Sequence, residues 1–317
     1  MRGWTGISSR TGGHIMKKLA VDIGGLILQN PIMPASGAFG PEMNSVIDFN
    51  RLGAVIPKSI TLSPRAGNAT PRVCETPAGM INSIGIQSKG INYYMENVVP
   101  FFAQYQSPLI SSLSAESVEE FGQIADIVAK NPNVSALELN ISCPNLKGNG
   151  LAFGMDADLT YQLVRKVRDV TDKPVITKLS PNVTSIQEIA IAAQEGGSNA
   201  LTVANTLLAM SIDVETRKPR IGNIMGGLSG PATKPVAIRL IYQVNKVVTI
   251  PIIGCGGVMT SDDAIEMILA GATAVQVGTA SFIHPHAMVD IVKGIQTYME
   301  HHNISDINEL IGSVIID

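Results

Sequence analysis

Six apolar runs in this chain end in side chains able to bind or react: Ser36; Lys58 with Ser59; Ser112; Asn140 with Cys143 and Asn145; Lys178; and Asn205 with Thr206. One such residue reads as a satisfied structural group, because a buried polar atom needs a partner. Six that converge on one face read as a site. Asparagine amides present donors and acceptors in fixed planes, which suits a flat ligand rich in C=O and N–H groups. Lys58 and Lys178 add positive charge at two separate points. A planar, anionic, amide-rich ligand fits this set. Two further run ends are glycine-rich: Gly256-Gly257 and Gly278-Thr279. Glycine lets backbone N–H groups approach a ligand closely, and the last two loops of a barrel often hold phosphate, so tight-turn geometry is the weaker reading.

Cys143 is the residue with the most reactive potential. It opens a polar segment with Gly148, Gly150 and Gly154, which reads as a mobile lid. A thiol whose pKa lies near 8.5 accepts a proton at neutral pH if its surroundings favour thiolate. No histidine lies in the strand-end stretches to form a Cys/His pair, so general base is preferred to covalent nucleophile. Cys74 and Cys255 read as buried structural thiols, the common fate of free cysteine. The three cysteines form neither a CxxC motif nor a Cys/His cluster, so a reducing compartment is expected and a protein-bound catalytic metal is not.

The elements that must position these residues follow from the pattern of apolar runs. Nearly continuous hydrophobic segments at 31–36, 54–59, 108–114, 136–142, 175–180, 200–206, 250–256 and 274–279 read as parallel strands buried on both faces. Helical spacing fills 116–130, 158–170, 185–195, 233–247 and 261–270, with Ser114 or Ser117, Asp156, Thr184 and Ser261 as N-cap candidates. Eight strands alternating with helices predict an α/β fold, a (β/α)8 TIM barrel. A doubly wound sheet is the alternative, and it lacks a G-x-G-x-x-G turn here. Residues 19–29 alternate around Gly24-Gly25 and predict an N-terminal β-hairpin under the barrel. Two connections, 60–92 and 207–230, are longer than usual and leave the carboxyl ends of strands, where barrel enzymes place their sites. Residues 1–15 are expected to be a leader or tag-like extension without function, and 16–317 a single barrel domain. The net charge of -3 has no basic run behind it and aromatics are only 4%, so neither nucleic acid nor membrane is an expected partner. A soluble, cytoplasmic protein is expected.

The motifs themselves carry a resemblance. NISCPN with the following LKGNGLAFG, PASGAFG, PKSITLSPRAGN, ETPAGMINSIGIQSKG, VANTLLAMSID, GGLSGPATKP, IIGCGGVMT and AVQVGTA resemble dihydroorotate dehydrogenase, in order and spacing, from Lys17 onward. Cysteine as the base resembles class 1, and NISCPN-x-K, NTLLAM and GGLSGPA resemble class 1B. The resemblance implies oxidation of (S)-dihydroorotate to orotate in pyrimidine (UMP) biosynthesis, with one FMN per chain. It implies that Cys143 takes the C5 proton while hydride leaves C6 for the flavin N5. Lys58, Asn82, Asn140, Asn145, Asn205 and Thr206, with Ser83, Ile84, Gly85 and Ile86, would line the substrate pocket. Ser36, Lys58, Ser59, Ser112, Asn140, Lys178 and Ala204 would touch the flavin, and Gly230, Gly256, Gly257, Gly278 and Thr279 its phosphate and ribityl chain.

The class 1B resemblance also implies a homodimer of barrels with electron-transfer subunits, a heterotetramer in which FAD and a 2Fe-2S cluster on the partner pass electrons to NAD. Two departures from the family pattern stand out: Ser112 where asparagine is common, and KGNG after NISCPN. The competing readings are a class 1A-like stand-alone homodimer using fumarate, a phosphate-binding barrel lyase or isomerase with a reactive Lys178, and a non-catalytic binding subunit.

Overall fold

Apolar runs without polar alternation become strands that pair side by side and leave both faces to be covered. The computed structural model describes residues 18–142 and 153–316. In chain order the first strands are β1 (Val21–Asp22), β2 (Ile27–Leu28), β3 (Ile32–Pro34), β4 (Val73–Thr76), β5 (Gly79–Asn82), β6 (Leu109–Leu113) and β7 (Val134–Asn140). They are followed by β8 (Val175–Lys178), β9 (Ala200–Val203), β10 (Leu207–Met210), β11 (Ile212–Asp213) and β12 (Lys218–Pro219). The last three are β13 (Met225–Ser229), β14 (Ile252–Cys255) and β15 (Ala274–Val277).

Seven of them form one parallel sheet in the order β3-β15-β14-β9-β8-β7-β6. The eighth stave is residues 55–60, bridged in parallel to β6 at Val55–Leu109 and Ile60–Leu113. On its other side Gly53 N–H donates to the Ile32 carbonyl of β3 at 2.7 Å, and the cylinder closes there. Pro57 lies inside this stave and has no N–H to give, which explains isolated bridges in place of a regular ladder. The architecture is the expected (β/α)8 barrel.

Helices Val118–Ala129, Ala157–Arg168, Ile186–Glu195, Lys234–Asn245, Ser261–Ala270 and Ala287–His301 alternate with the strands. Each turns an apolar stripe inward; Phe121, Ile124 and Val128 of the first are fully buried. Ser117, Asp156, Ser185 and Thr260 cap four of them by accepting from a backbone N–H three residues on. Two caps therefore sit one residue from their expected places, Ser185 for Thr184 and Thr260 for Ser261.

The antiparallel β1–β2 hairpin closes the N-terminal end, where Gly24, at φ +78°, lies against the backbone of Asn199 just ahead of β9. At the opposite end the two long connections are structured. Connection 60–92 supplies β4 and β5, connection 207–230 supplies β10 and β13, and the four make one antiparallel sheet, β10-β13-β5-β4. A small β11–β12 hairpin extends from it. No helix among the described residues is long and apolar enough to cross a membrane.

Candidate active site

The carboxyl ends of the parallel strands open into a cavity of ≈ 370 Å³ beneath the antiparallel sheet. Such volumes accommodate small ligands and cofactors. Ser36 and Gly37 reach it from beyond β3, Lys58 and Ser59 from the irregular stave, Asn140 from the end of β7 and Lys178 from the end of β8. Ala204, Asn205 and Thr206 arrive after β9, Gly256 and Gly257 after β14, and Gly278 and Thr279 after β15. Asn82, Ser83, Ile84, Gly85 and Ile86 complete the wall from β5 and the segment after it. Two expected contacts are not in the lining. Ser112 is fully buried behind Ser59, and their hydroxyls bond at 2.8 Å. Gly230 sits behind the glycine turn, its carbonyl accepting from the Thr233 hydroxyl at 3.0 Å. Cys143 and Asn145 lie outside the described residues.

The amides at the mouth are held in register. Asn205 Nδ2 donates to Asn140 Oδ1 and to Ser142 Oγ, both at 3.1 Å, while its Oδ1 accepts from the Thr206 N–H at 2.8 Å. Both Asn205 groups are thereby oriented before any ligand enters. On the covering sheet, Asn82 pairs with Gly227 across β5 and β13 and donates to its carbonyl at 3.4 Å. Asn68 Nδ2 fixes Ser83 Oγ at 2.7 Å. Ile86 adopts φ +50°, a left-handed conformation costly for a β-branched residue, and Gly85 precedes it at φ +73°. Ser83 to Ile86 line the cavity along that turn.

Lys178 is 4% exposed and donates to Gln276 Oε1 at 2.7 Å. Burial works to lower its ammonium, but Cys255 and Glu138 outweigh burial and hold it above its ordinary value. Burial pushes the Cys255 thiol up, against the pull of Lys178. Cys255 was expected to be a structural core thiol; instead it borders the cavity beside Lys178. Its position as the last residue of β14, one step before the glycine pair, was the signal available in the sequence.

The glycine end has the shape of a cradle. Gly256 and Gly257 have φ of +133° and +80°, and a Cβ on Gly257 would come within 2.6 Å of the Lys234 nitrogen. Gly278 differs: a Cβ there would meet only Ala35 Cβ, at 3.5 Å, so the space above it belongs to the cavity. Thr279 Oγ1 donates to Ser229 Oγ at 2.8 Å and ties β15 to the covering sheet. A buried ammonium and amide groups at one end, with open glycine backbone at the other, fit the flat ring system and phosphate of FMN.

The dihydroorotate dehydrogenase family model matches residues 18–299. The chain belongs to the dihydroorotate dehydrogenase family. It is 52% identical over 297 residues to a protein of Desulforamulus reducens, covering 93% of this chain and 98% of that one. A Geotalea uraniireducens protein is 48% identical over 299 residues, covering 94% and 98%. A third, from Porphyromonas gingivalis, is 46% identical over 305 residues, covering 95% and 99%. Each is named dihydroorotate dehydrogenase B (NAD(+)), catalytic subunit. Within the dihydroorotate dehydrogenase frame, the residues that sequence reasoning passed over are Glu138, Thr202 and Gln276, buried in the barrel below Lys178.

Proposed function

We propose that this chain oxidises (S)-dihydroorotate to orotate in pyrimidine biosynthesis, with FMN bound at the barrel mouth, as the catalytic subunit of an NAD-linked assembly. The observation that carries this reading is the meeting of Asn82, Asn140, Lys178 and Asn205 in one cavity whose far end is open glycine backbone. Asn82, Asn140, Asn205 and Thr206, with Asn145, hold the substrate's ring amides, and Lys58 receives its carboxylate. The 83–86 segment packs over the ring. Ser36, Ser59, Lys178 and Ala204 hold the flavin ring system, while Gly256, Gly257, Gly278 and Thr279 take the ribityl chain and phosphate. Ser112 acts on this pocket through Ser59, and Gly230 through the turn at Gly257.

Oxidation removes one proton and one hydride from adjacent carbons. Cys143 takes the proton from C5, the role the sequence supports for a thiol base. Bound FMN supplies the acceptor for the hydride from C6. The Asn140–Asn205 pair keeps the ring from turning during proton removal, because both amides are already oriented by partners within the chain.

FAD and a 2Fe-2S cluster belong to a separate electron-transfer subunit, since the three cysteines of this chain are too scattered to ligate a cluster. Two barrels and two such subunits make a heterotetramer in the cytoplasm, each barrel a single domain over 16–317. The test is anaerobic addition of dihydroorotate to the FMN-loaded chain. Bleaching of the yellow flavin is expected, with little NAD reduction until the partner is added. A protein that takes up no FMN, or whose flavin stays oxidised, refutes the reading.

A further inference from the structure

The barrel interior below the mouth holds a polar layer that the reaction above does not use. Glu138 on β7, Thr202 on β9 and Gln276 on β15 occupy staves four, six and eight, and alternate staves of such a barrel fill one interior layer together. All three are buried, Glu138 at 0% exposure. Glu138 Oε2 accepts from Gln276 Nε2 at 2.5 Å and from Thr202 Oγ1 at 3.1 Å. Its Oε1 has no hydrogen-bond partner among the described residues. Gln276 turns its other end upward, where Oε1 accepts from Lys178 Nζ at 2.7 Å.

This arrangement fixes a direction. A carboxylate only accepts hydrogen bonds and an ammonium only donates them. The amide between them therefore has one orientation, NH2 toward Glu138 and C=O toward Lys178. Well-packed apolar residues would stabilise a barrel interior as well as or better than a buried charge pair. Stability is thus a poor reason for a carboxylate with an unpartnered oxygen at this depth.

We propose that Glu138 is a positioning residue of the flavin site: acting through Gln276, it aims the Lys178 ammonium into the cavity and supplies its counter-charge. The inference rests on the reading of that cavity as a flavin pocket. Among the described residues, the titratable groups facing Lys178 are Cys255 on β14 and Glu138 on β7. Burial pushes the Cys255 thiol up against the pull of Lys178, and of the two groups Glu138 is the one joined to the lysine through Gln276. The Lys178 ammonium then sits ready for the negative charge that a flavin gains on reduction.

Two measurements on Glu138→Gln test this, one of them without flavin. Only a neutral amine is acylated, so in flavin-free protein the rate of Lys178 acetylation at about pH 8, followed by peptide mass spectrometry against exposed lysines, reads its charge. About a tenfold rise over the parent is expected, the effect of losing ~1.4 kcal/mol of charge stabilisation. Gln276→Leu, which removes the bridge and keeps the carboxylate, should raise the rate as well and serves if Glu138→Gln does not fold. In FMN-loaded protein, Glu138→Gln should give a flavin midpoint potential that falls more steeply than the parent's between about pH 7 and 10. Added to Lys178→Met, it should change the potential no further. Unchanged acetylation in both variants, or a potential shift of undiminished size in the Lys178→Met background, overturns the proposal. Failure to take up FMN refutes the functional reading instead, and the acetylation rates still decide the role of Glu138.

Discussion

Gly278→Ala separates a ligand effect from a folding effect. In the flavin-free protein a methyl at this position meets only Ala35 Cβ at 3.5 Å, an ordinary contact, and the backbone there is not left-handed. Its cost to stability should stay within about 0.5 kcal/mol. The same methyl projects into the cavity that FMN must fill, and overpacking a close contact costs about 1–3 kcal/mol. At about 1.4 kcal/mol per decade, FMN affinity should fall about 10- to 100-fold. Gly257→Ala is the contrasting variant. Its methyl would lie 2.6 Å from Lys234 N and 2.9 Å from Gly230 O, on a residue at φ +80°. It should therefore destabilise the flavin-free protein as well, by at least about 1–2 kcal/mol for the left-handed backbone alone. Thermal unfolding without flavin and FMN titration by fluorescence quenching measure the two effects separately. Gly278→Ala that binds FMN within twofold of the parent would refute the placement of the cofactor over this glycine.

Cys143→Ala should retain FMN and lose about 10²- to 10⁴-fold in the rate of anaerobic flavin reduction by dihydroorotate, the usual contribution of a general base; Cys143→Ser should keep part of it. Asn205→Ala removes the donor to Asn140 and Ser142, and stopped-flow reduction should show kcat/KM lowered about 10- to 100-fold, as for a lost buried hydrogen-bond partner worth about 1–3 kcal/mol. Asp263→Asn tests the helix that follows β14. Burial opposes the Asp263 charge, but Lys234 and the Met259 and Thr260 N–H groups hold its carboxyl below the ordinary range. Its stabilisation is therefore fully present above that range and lost as pH falls through the depressed value. The variant should lose about 1 kcal/mol at neutral pH, and the gap in thermal unfolding should close in strong acid.

The barrel was legible because its staves carry a two-sided burial signature. LISSL of β6 and AVQV of β15 are buried at every position, and no surface strand reads that way. The covering sheet was not legible, for an equally physical reason. β5 is GMIN and β13 is MGGLS, short, glycine-rich and half-buried, and they pair Asn82 with Gly227 across a sequence separation of 145. No local pattern encodes such a partner, so 60–92 and 207–230 looked like loops. Ser112 shows the limit at single residues: its place at a stave end suggested a ligand contact, while its side chain turns to Ser59. Glu138 was hidden by its neighbours, since ALELN reads as an apolar run with one interruption. A carboxylate in the middle of a stave buried on both faces is the signal that would have exposed it.

The covering sheet also makes the cavity a property of the whole cylinder. Its β4–β5 half departs from the second stave and its β10–β13 half from the sixth, and the two clasp through the β13–β5 pairing. Neither half of the barrel owns a roof. A fragment that ends after β8 carries Asn82, Asn140 and both lysines beneath half a ceiling, and a fragment that begins there brings Asn205 and the glycine cradle beneath the other half. Access to the mouth is thus linked to chain completion: enclosure from water waits until opposite sides of the cylinder have met above it, and a length change in either excursion is felt by the other through the β13–β5 seam.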